Sequence, residues 1–293
     1  MIRRRHAGKP DGWIMNEKKS HLIRFHKMSG SGNDFIIIDN RDLSLPIADV
    51  PDFVRRVCRR KISVGADGLF LIEPSAVADF KWQFFNSDGS VAEMCGNGSR
   101  CVARFAHHIG FAGPRMSFET LAGIITACVN GDSVKVRLTD PSLLKQNVSL
   151  VLAGGDCGVD VIDTGVPHAV CFVEFVEAVD VAAAGREIRR HEFFRPRGTN
   201  ANFASVFNRH TMRVRTYERG VEDETLACGT GVVASVLAAA SRELVDSPVD
   251  VTVQSGEVLR VYFSRNDDRF GEIYLEGKVK MVYQGVLFEE AYQ

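Results

Sequence analysis

Twice in this chain a cysteine stands directly before a Gly-x-Gly turn that opens a helical run: "AEMCGNGSRC" at residues 92–101 and "LACGTGVVAS" at residues 226–235. Glycines there strip side chains from the first turn of a helix. The leading N–H groups of that turn have no intrahelical partner, and the macrodipole adds partial positive charge. After Cys95, residues Cys101, Val102, Phe105, Ala106 and Ile109 share one helical face, while Arg100, Arg104, His107 and His108 share the other. After Cys228, residues Val232, Val233, Val236, Leu237 and Ala240 recur at helical spacing among alanines. That second helix is apolar nearly all round and is expected to be buried. A chain carrying this unit twice is constrained to two similar halves, each supplying one buried helix with a thiol at its mouth. "GNDF" (32–35) and "NANF" (200–203) form a fainter echo, and the Pro-bearing "LTDPSLLKQ" (138–146) lies between the halves.

Most of the remaining chain reads as short strands. "DFIIID" (34–39), "GLFLIE" (68–73), "KWQFFN" (81–86), "SVKVRL" (133–138), "DVIDTG" (160–165) and "AVCFVEF" (169–175) fit that pattern. So do "NFASVF" (202–207), "MRVRTYE" (212–218), "VDVTVQS" (249–255), "VLRVYF" (258–263) and "GEIYLEG" (271–277). "IADVPDFVRRVCRRK" (47–61) reads as a helix started by Pro51 and Asp52. Strands are many, long helices are few, and regular βαβ alternation is absent. The expected class is therefore α/β of the α+β type rather than a doubly wound sheet.

Bulk properties exclude several function classes. With 293 residues, 45% hydrophobic and 25% charged, the chain has the composition of an ordinary globular protein and room for two domains. A formal net charge of −1 gives no footprint for nucleic acid. No apolar run reaches the length needed to span a bilayer, so no membrane partner is expected. Seven cysteines, an odd number without small-scaffold spacing, point to a reducing cytoplasm. Residues 1–20 are basic and turn-rich, lack the apolar stretch of a secretory signal, and are expected to be a disordered extension, with Met15 an alternative start.

A helix mouth binds a carboxylate and lowers the pKa of an adjacent thiol. If both mouths point into one cleft, a single α-carboxylate can receive N–H groups from Gly96, Asn97, Gly229 and Thr230. The adjoining Cα–H then sits between Cys95 and Cys228. One thiolate removes the proton, the other thiol delivers one from the opposite face, and the centre inverts. The carbanion's charge spreads onto a carboxylate already held by backbone donors. The plainer alternative is that each cysteine is a small buried hydrophobe.

Six blocks carry a family resemblance: "FHKMSGSGNDFIIIDNR" (25–41), "SVGADGLFL" (63–71), "FNSDGSVAEMCGNGSRCVARF" (85–105), "DTGVPHAV" (163–170), "GTNANFASV" (198–206) and "YERGVEDETLACGTGVVAS" (217–235). In this order they resemble the diaminopimelate epimerases, from about residue 22 to the C-terminus. The resemblance implies a cofactor-independent epimerase that interconverts LL- and meso-diaminopimelate for lysine and peptidoglycan synthesis. It implies two pseudo-symmetric domains, each with strands wrapped around a central helix and the site in the cleft between them. The expected division is 21–140 with 276–293, whose last strand returns to the first half, and 141–275 for the second. Cys95 and Cys228 would be the acid/base pair. Gly96, Asn97, Gly229 and Thr230 would hold the reacting carboxylate, and Asn33, Asn86, Asn200, Glu218 and Arg219 the rest of the substrate. His168 and Glu218 would tune the thiols. Diaminopimelate is zwitterionic at both ends, which suits the fork of Arg219 and the acceptors of Glu218 and the asparagines. A homodimer is a possible assembly.

The sequence departs from the family pattern in places. Val166 stands where Asn often precedes the Pro-His pair, Gly68 where Gln sometimes stands, and Ser29 in the place of a usual His. "ERGVEDET" is one residue longer than the common form. Rival readings are a hydrolase or transferase with Cys95 as nucleophile and His168 as base, and a racemase of another amino acid on the same fold. A zinc module from Cys95, Cys101, His107 and His108 has the wrong spacing. "GSGNDF" lacks the third glycine and the helix of a dinucleotide loop.

Overall fold

The computed structural model describes residues 22–266 and 269–293, so the expectation for residues 1–20 lies outside the described residues. The first half runs β1 (Ile23–Gly30), β2 (Asn33–Asp39), α1 (Val50–Val57), β3 (Gly68–Glu73), β4 (Phe80–Asn86), α2 (Gly96–His108), β5 (Arg115–Thr120), β6 (Gly123–Asn130) and β7 (Ser133–Arg137). The second runs β8 (Leu143–Leu152), β9 (Gly155–Asp163), β10 (Pro167–Phe172), α3 (Val181–Arg190), β11 (Asn200–Asn208), β12 (Thr211–Glu218), β13 (Asp223–Thr225), α4 (Gly229–Ser241), β14 (Val249–Thr252), β15 (Val258–Asn266), β16 (Arg269–Lys278) and β17 (Lys280–Leu287).

The strand pairings repeat. β1–β2 is antiparallel, β2–β3 parallel, β3–β4 antiparallel, β4–β5 parallel, and β5–β6 and β6–β7 are antiparallel. The second half gives the same series with β9–β10, β10–β11, β11–β12, β12–β14, β14–β15 and β15–β16. A parallel pair needs a crossover, and the crossovers carry the helices. Thus α1 and α3 fill one slot, and α2 and α4 the other, each of the latter pair 13 residues long. The antiparallel partner that β8 gives β9 is given to β1 by β17, and β16 pairs with β7. The chain therefore folds as two similar halves, as its sequence repeat requires.

Apolar residues of α2 and α4 share one core cluster, including Val102, Phe105 and Ala106 of α2 and Val232, Val236 and Leu237 of α4. Every residue of α4 from Gly231 to Ala240 is buried, as its all-round apolarity predicts. Burying one Val, Leu or Phe side chain contributes roughly 1.5–3 kcal/mol, so this shared core is a large part of what holds the two helices. A second cluster packs α1 against β1–β3, and a third packs α3 against β8–β12.

Two expectations need correction. The first helix is shorter than 47–61, because the Asp49 side chain accepts the Asp52 N–H at 3.0 Å and caps it there. Arg100, placed by helical spacing on a solvent face with Arg104, His107 and His108, is instead fully buried, while the two histidines are exposed. "GSGNDF" is the β1–β2 hairpin: Ser31 and Gly32 turn the chain at φ 52° and 89°. Ser31 pays the ordinary cost of a left-handed non-glycine, and a Cβ on Gly32 would lie 2.5 Å from Leu226 Cβ. That contact sets the hairpin tip against the segment leading to Cys228.

Candidate active site

Cys95 and Cys228 are the N-cap residues of α2 and α4. Both backbones are extended, at φ −145°, ψ 118° and φ −116°, ψ 107°, as an N-cap requires. Cys95 Sγ accepts the Gly98 N–H at 3.4 Å. Cys228 Sγ lies 3.6 Å from Thr230 Oγ1. The glycine three residues after each cysteine is required by packing. A Cβ on Gly98 would lie 2.3 Å from Phe70 Cζ, and one on Gly231 would lie 2.3 Å from Asn202 Oδ1. The two mouths converge, since the same Leu275 methyl would lie 3.8 Å from a Cβ on Gly96 and 3.0 Å from one on Gly229.

Both thiols open onto one cavity of about 420 Å³. Gly96 and Asn97 line it from one mouth, Gly229 and Thr230 from the other. Asn33, Asn200, Glu218 and Arg219, also predicted, stand on its walls. Asn33 arrives from the hairpin, and Asn97 Nδ2 donates to its Oδ1 at 2.8 Å. Asn200 Oδ1 accepts the Arg219 N–H at 2.8 Å, and Arg219 Nη1 donates to Arg197 O at 3.0 Å. The longer loop after Arg219 is absorbed by Gly220 and Glu222 at φ 95° and 62°, with Glu222 tied to Arg189 at 2.8 Å.

Two predicted residues stand elsewhere. Asn86 is exposed and lines an adjoining cavity of about 760 Å³, which shares Asn33, Cys95, Glu218 and Arg219 with the first. His168 lines neither cavity. It is fully buried, its Nδ1 lies 3.2 Å from Asn202 Nδ2, and its Nε2 has no hydrogen-bond partner. Burial first, and then the charge of Arg219, push His168 down to about 3, so it is neutral at ordinary pH. That arrangement does not present it to Cys95 as a base.

Burial pushes both thiols up, and the Glu218 carboxylate adds to the effect on each. Backbone N–H groups oppose it, from Gly98 and Asn97 at Cys95 and from Gly231 at Cys228. Burial likewise raises the Glu218 carboxyl, against hydrogen bonds from Thr225, whose Oγ1 lies at 3.0 Å, and from Cys228. The cleft thus favours protons on its sulfurs, with donors already aimed at the places where negative charge would form.

Sequence reasoning missed Asp67, which fixes Asn33 by accepting its Nδ2 at 3.0 Å, and Thr164, which lines the cavity and reaches Thr230 O at 3.5 Å. Asp67 lies in a quoted block but carries no spacing signal. Val166 lines the cavity with apolar surface. At Gly68 a Cβ would meet the Phe84 ring at 2.8 Å, so no side chain fits there. Among the described residues no group of three or more His, Cys, Asp or Glu side chains is arranged to hold a metal ion, and no helix is long and apolar enough to cross a membrane.

Comparison with known proteins agrees with this geometry. The family model described as diaminopimelate epimerase matches residues 25–144 and 161–282. The diaminopimelate epimerase of Aquifex aeolicus is 50% identical over 279 residues, covering 92% of this chain and 99% of that protein. The one from Archaeoglobus fulgidus is 41% identical over 278 residues, covering 90% and 96%. Among solved structures, a Bacillus anthracis phenazine biosynthesis protein of the PhzF family has a TM-score of 0.71 at 16% identity, covering 91% of this chain and 99% of that one. A hydroxyproline epimerase from Agrobacterium vitis has a TM-score of 0.69 at 15% identity, covering 92% and 93%. The last two show likeness of fold.

Proposed function

The chain belongs to the diaminopimelate epimerase family, and on that premise we propose that it interconverts LL- and meso-diaminopimelate by a two-thiol, cofactor-independent route in the cleft between its halves. The observation that carries this reading is the pair of N-cap thiols on matching helices facing one cavity. A substrate α-carboxylate accepts N–H groups from both mouths, at Gly96, Asn97, Gly229 and Thr230, and these donors also hold the charge that develops on deprotonation. One of Cys95 and Cys228, as thiolate, takes the Cα proton while the other, as thiol, supplies one to the opposite face. Each turnover leaves the pair with its roles exchanged.

Glu218 tunes both sulfurs by its charge. His168, being neutral, acts only as a dipole behind Asn202. Arg219 is the fork for the distal carboxylate, with Asn33, Asn200 and Glu218 around the distal ammonium and Asn86 in the adjoining cavity. A racemase of uncharged-tail amino acids would give Arg219 and Glu218 no charged group of the substrate to pair with, which is costly for half-buried charges.

The domain division, 21–140 with 276–293 and 141–275, is supported by the pairing of β17 with β1. Seven free thiols support a cytoplasmic location. For a homodimer, the supporting feature is β17, which exposes Val282, Tyr283 and Val286; sedimentation would test it. The decisive experiment is incubation of the purified protein with LL-diaminopimelate, proline and hydroxyproline, with chiral separation of products before and after dialysis against a chelator. Meso-diaminopimelate should appear in both cases. Inversion of proline without inversion of diaminopimelate would overturn the assignment.

A further inference from the structure

Among the described residues, Arg100 is a buried cation with no acid of its own. It sits on α2 one turn after Asn97 and is fully inaccessible to solvent. A guanidinium keeps its charge, and burying a charge is costly unless it is paired. Among the described residues no carboxylate forms an ion pair with it. Its hydrogen bonds go to Asn97 Oδ1 at 2.7 Å, Ser31 Oγ at 2.9 Å and Gly96 O at 3.3 Å, and its Nε has no partner. Glu257 bears on it at longer range but is engaged with Lys280 at 3.6 Å. Arg100 lines neither cavity. A charge this isolated, set directly behind a helix mouth, destabilises the fold unless something in the cleft uses it.

Its bonds impose a direction on the cleft. With Asn97 Oδ1 held by the guanidinium, Asn97 must turn its Nδ2 outward, where it donates to Asn33 Oδ1 at 2.8 Å. Asn33 then turns its own Nδ2 to Asp67 Oδ2 at 3.0 Å, and Asp67 is paired with Arg60 at 2.7 Å. Reversing the Asn97 amide would place N–H groups against the guanidinium, so the cation at one end and the carboxylate at the other fix both asparagines. The charged and titratable groups around Cys95 are Arg100 and Cys101 from its own helix, Glu93 just before it, Glu218 from β12 with Arg219 directly after it, and Cys228 from α4. At Cys95 the Glu218 charge opposes a thiolate and the Arg100 charge favours one.

We propose that Arg100 is the positioning cation of this cleft: it orients the amides of Asn97 and Asn33 and supplies the counter-charge against which Cys95 loses its proton. The proposal rests on the two-thiol reading for its purpose, but its first test, on the Cys95 thiol itself, uses no substrate. Iodoacetamide alkylates only the thiolate, forming an S–C bond and releasing iodide. The alkylation rate of Cys95 is followed against pH by peptide mass spectrometry in the wild type, Arg100→Gln and Arg100→Lys, with Cys228 in the same samples as the internal reference. Arg100→Gln should raise the Cys95 midpoint by about one unit, a tenfold slower alkylation below it, with a smaller change at Cys228. Arg100→Lys should restore the midpoint yet leave diaminopimelate turnover at least tenfold low, because a point charge cannot serve Asn97, Ser31 and Gly96 at once. An unchanged Cys95 midpoint in Arg100→Gln, or wild-type turnover in Arg100→Lys, would overturn the proposal. If Arg100→Gln does not fold, Ser31→Ala decides, since it removes one guanidinium bond and keeps the charge. KM should then rise several-fold with the Cys95 midpoint unmoved, and an unchanged KM counts against positioning. A normal Arg100 effect on alkylation in a protein that turns over no diaminopimelate refutes the substrate and leaves this role intact.

Discussion

At the residue scale, Cys228 is buried and Cys95 half-buried, and both feel the same Glu218 charge, yet their proposed roles are opposite in each direction of turnover. Two bases make a test possible. In D₂O the delivered hydrogen comes from a sulfur that has exchanged with solvent, so early product should carry deuterium at the inverted carbon while recovered substrate stays protiated. Cys95→Ala and Cys228→Ala should each abolish inversion, and any residual proton abstraction should survive from opposite stereoisomers in the two variants. Inversion by either single variant at near wild-type rate would make one mouth merely structural. At the distal end, Arg219→Lys keeps charge and loses the planar fork, and should weaken kcat/KM by about 1.5–3 kcal/mol, the worth of a hydrogen bond to a charged group. Kinetics within twofold of wild type would place the distal carboxylate elsewhere. His168 gives a stability prediction. Its folded pKa of about 3 lies below the ordinary 6.5. Between those values the unfolded chain binds a proton that the folded protein refuses. The contribution is therefore fully present above about pH 6.5 and is lost as pH falls toward 3, about 2 kcal/mol of it by pH 5. Urea titrations at pH 7 and 5 should show His168→Gln losing less stability than the wild type; equal losses would place the acid sensitivity in other groups.

At the scale of elements, the glycines inside the two mouths matter more than the helices' propensities. Gly98→Ala and Gly231→Ala drive a methyl into Phe70 and Asn202, each at 2.3 Å. Overpacking of this kind costs about 1–3 kcal/mol, and relief by shifting the mouth moves the donors off the proposed carboxylate position. Turnover should fall at least tenfold in both variants, with a drop in Tm of several degrees. Alanine at Gly113, which meets only Arg115 O at 3.7 Å, is the control expected to do neither. The same contacts explain what the sequence could reveal. β3 was readable to the residue because its apolar run is bounded by Asp67 and Pro74. The thiols were readable because Cys-Gly-x-Gly occurs twice. α3 was not, since it buries only Val181, Gly185 and Ile188, and its central glycine reads as a breaker. That glycine is there because a Cβ would lie 2.3 Å from Tyr217 Cβ. β17 was hidden by its exposed residues, and β8 and β13 by their polar ones. Arg100 was misplaced for a tertiary reason: its partners come from a hairpin tip almost seventy positions away and from its own first turn, which helical periodicity does not encode.

At the scale of the whole molecule, the cleft belongs to neither half. Its thiols come one from each repeat, while strand pairings tie the halves through β16 to β7. Relative motion of the halves would therefore change the gap between Cys95 and Cys228 while leaving each helix mouth intact. Both cysteines are free, and a peroxide that joins them would be reduced to water as the disulfide forms. A second thiol pair competes for the same oxidant. Cys157 and Cys171 bring their sulfurs within 3.5 Å on neighbouring strands of the second half, and Cys157 is lowered to about 7 by the Cys171 hydrogen bond. That bridge would staple β9 to β10 without spanning the cleft. Only the bridge between halves should abolish turnover. Mild peroxide should inactivate the wild type, dithiothreitol should restore it, and peptide mapping should find Cys95 joined to Cys228. The double variant Cys157→Ser with Cys171→Ser should be inactivated just as fast. If it is protected instead, the switch lies in the hairpin, and the sulfurs of Cys95 and Cys228 do not come within bonding distance as the halves move.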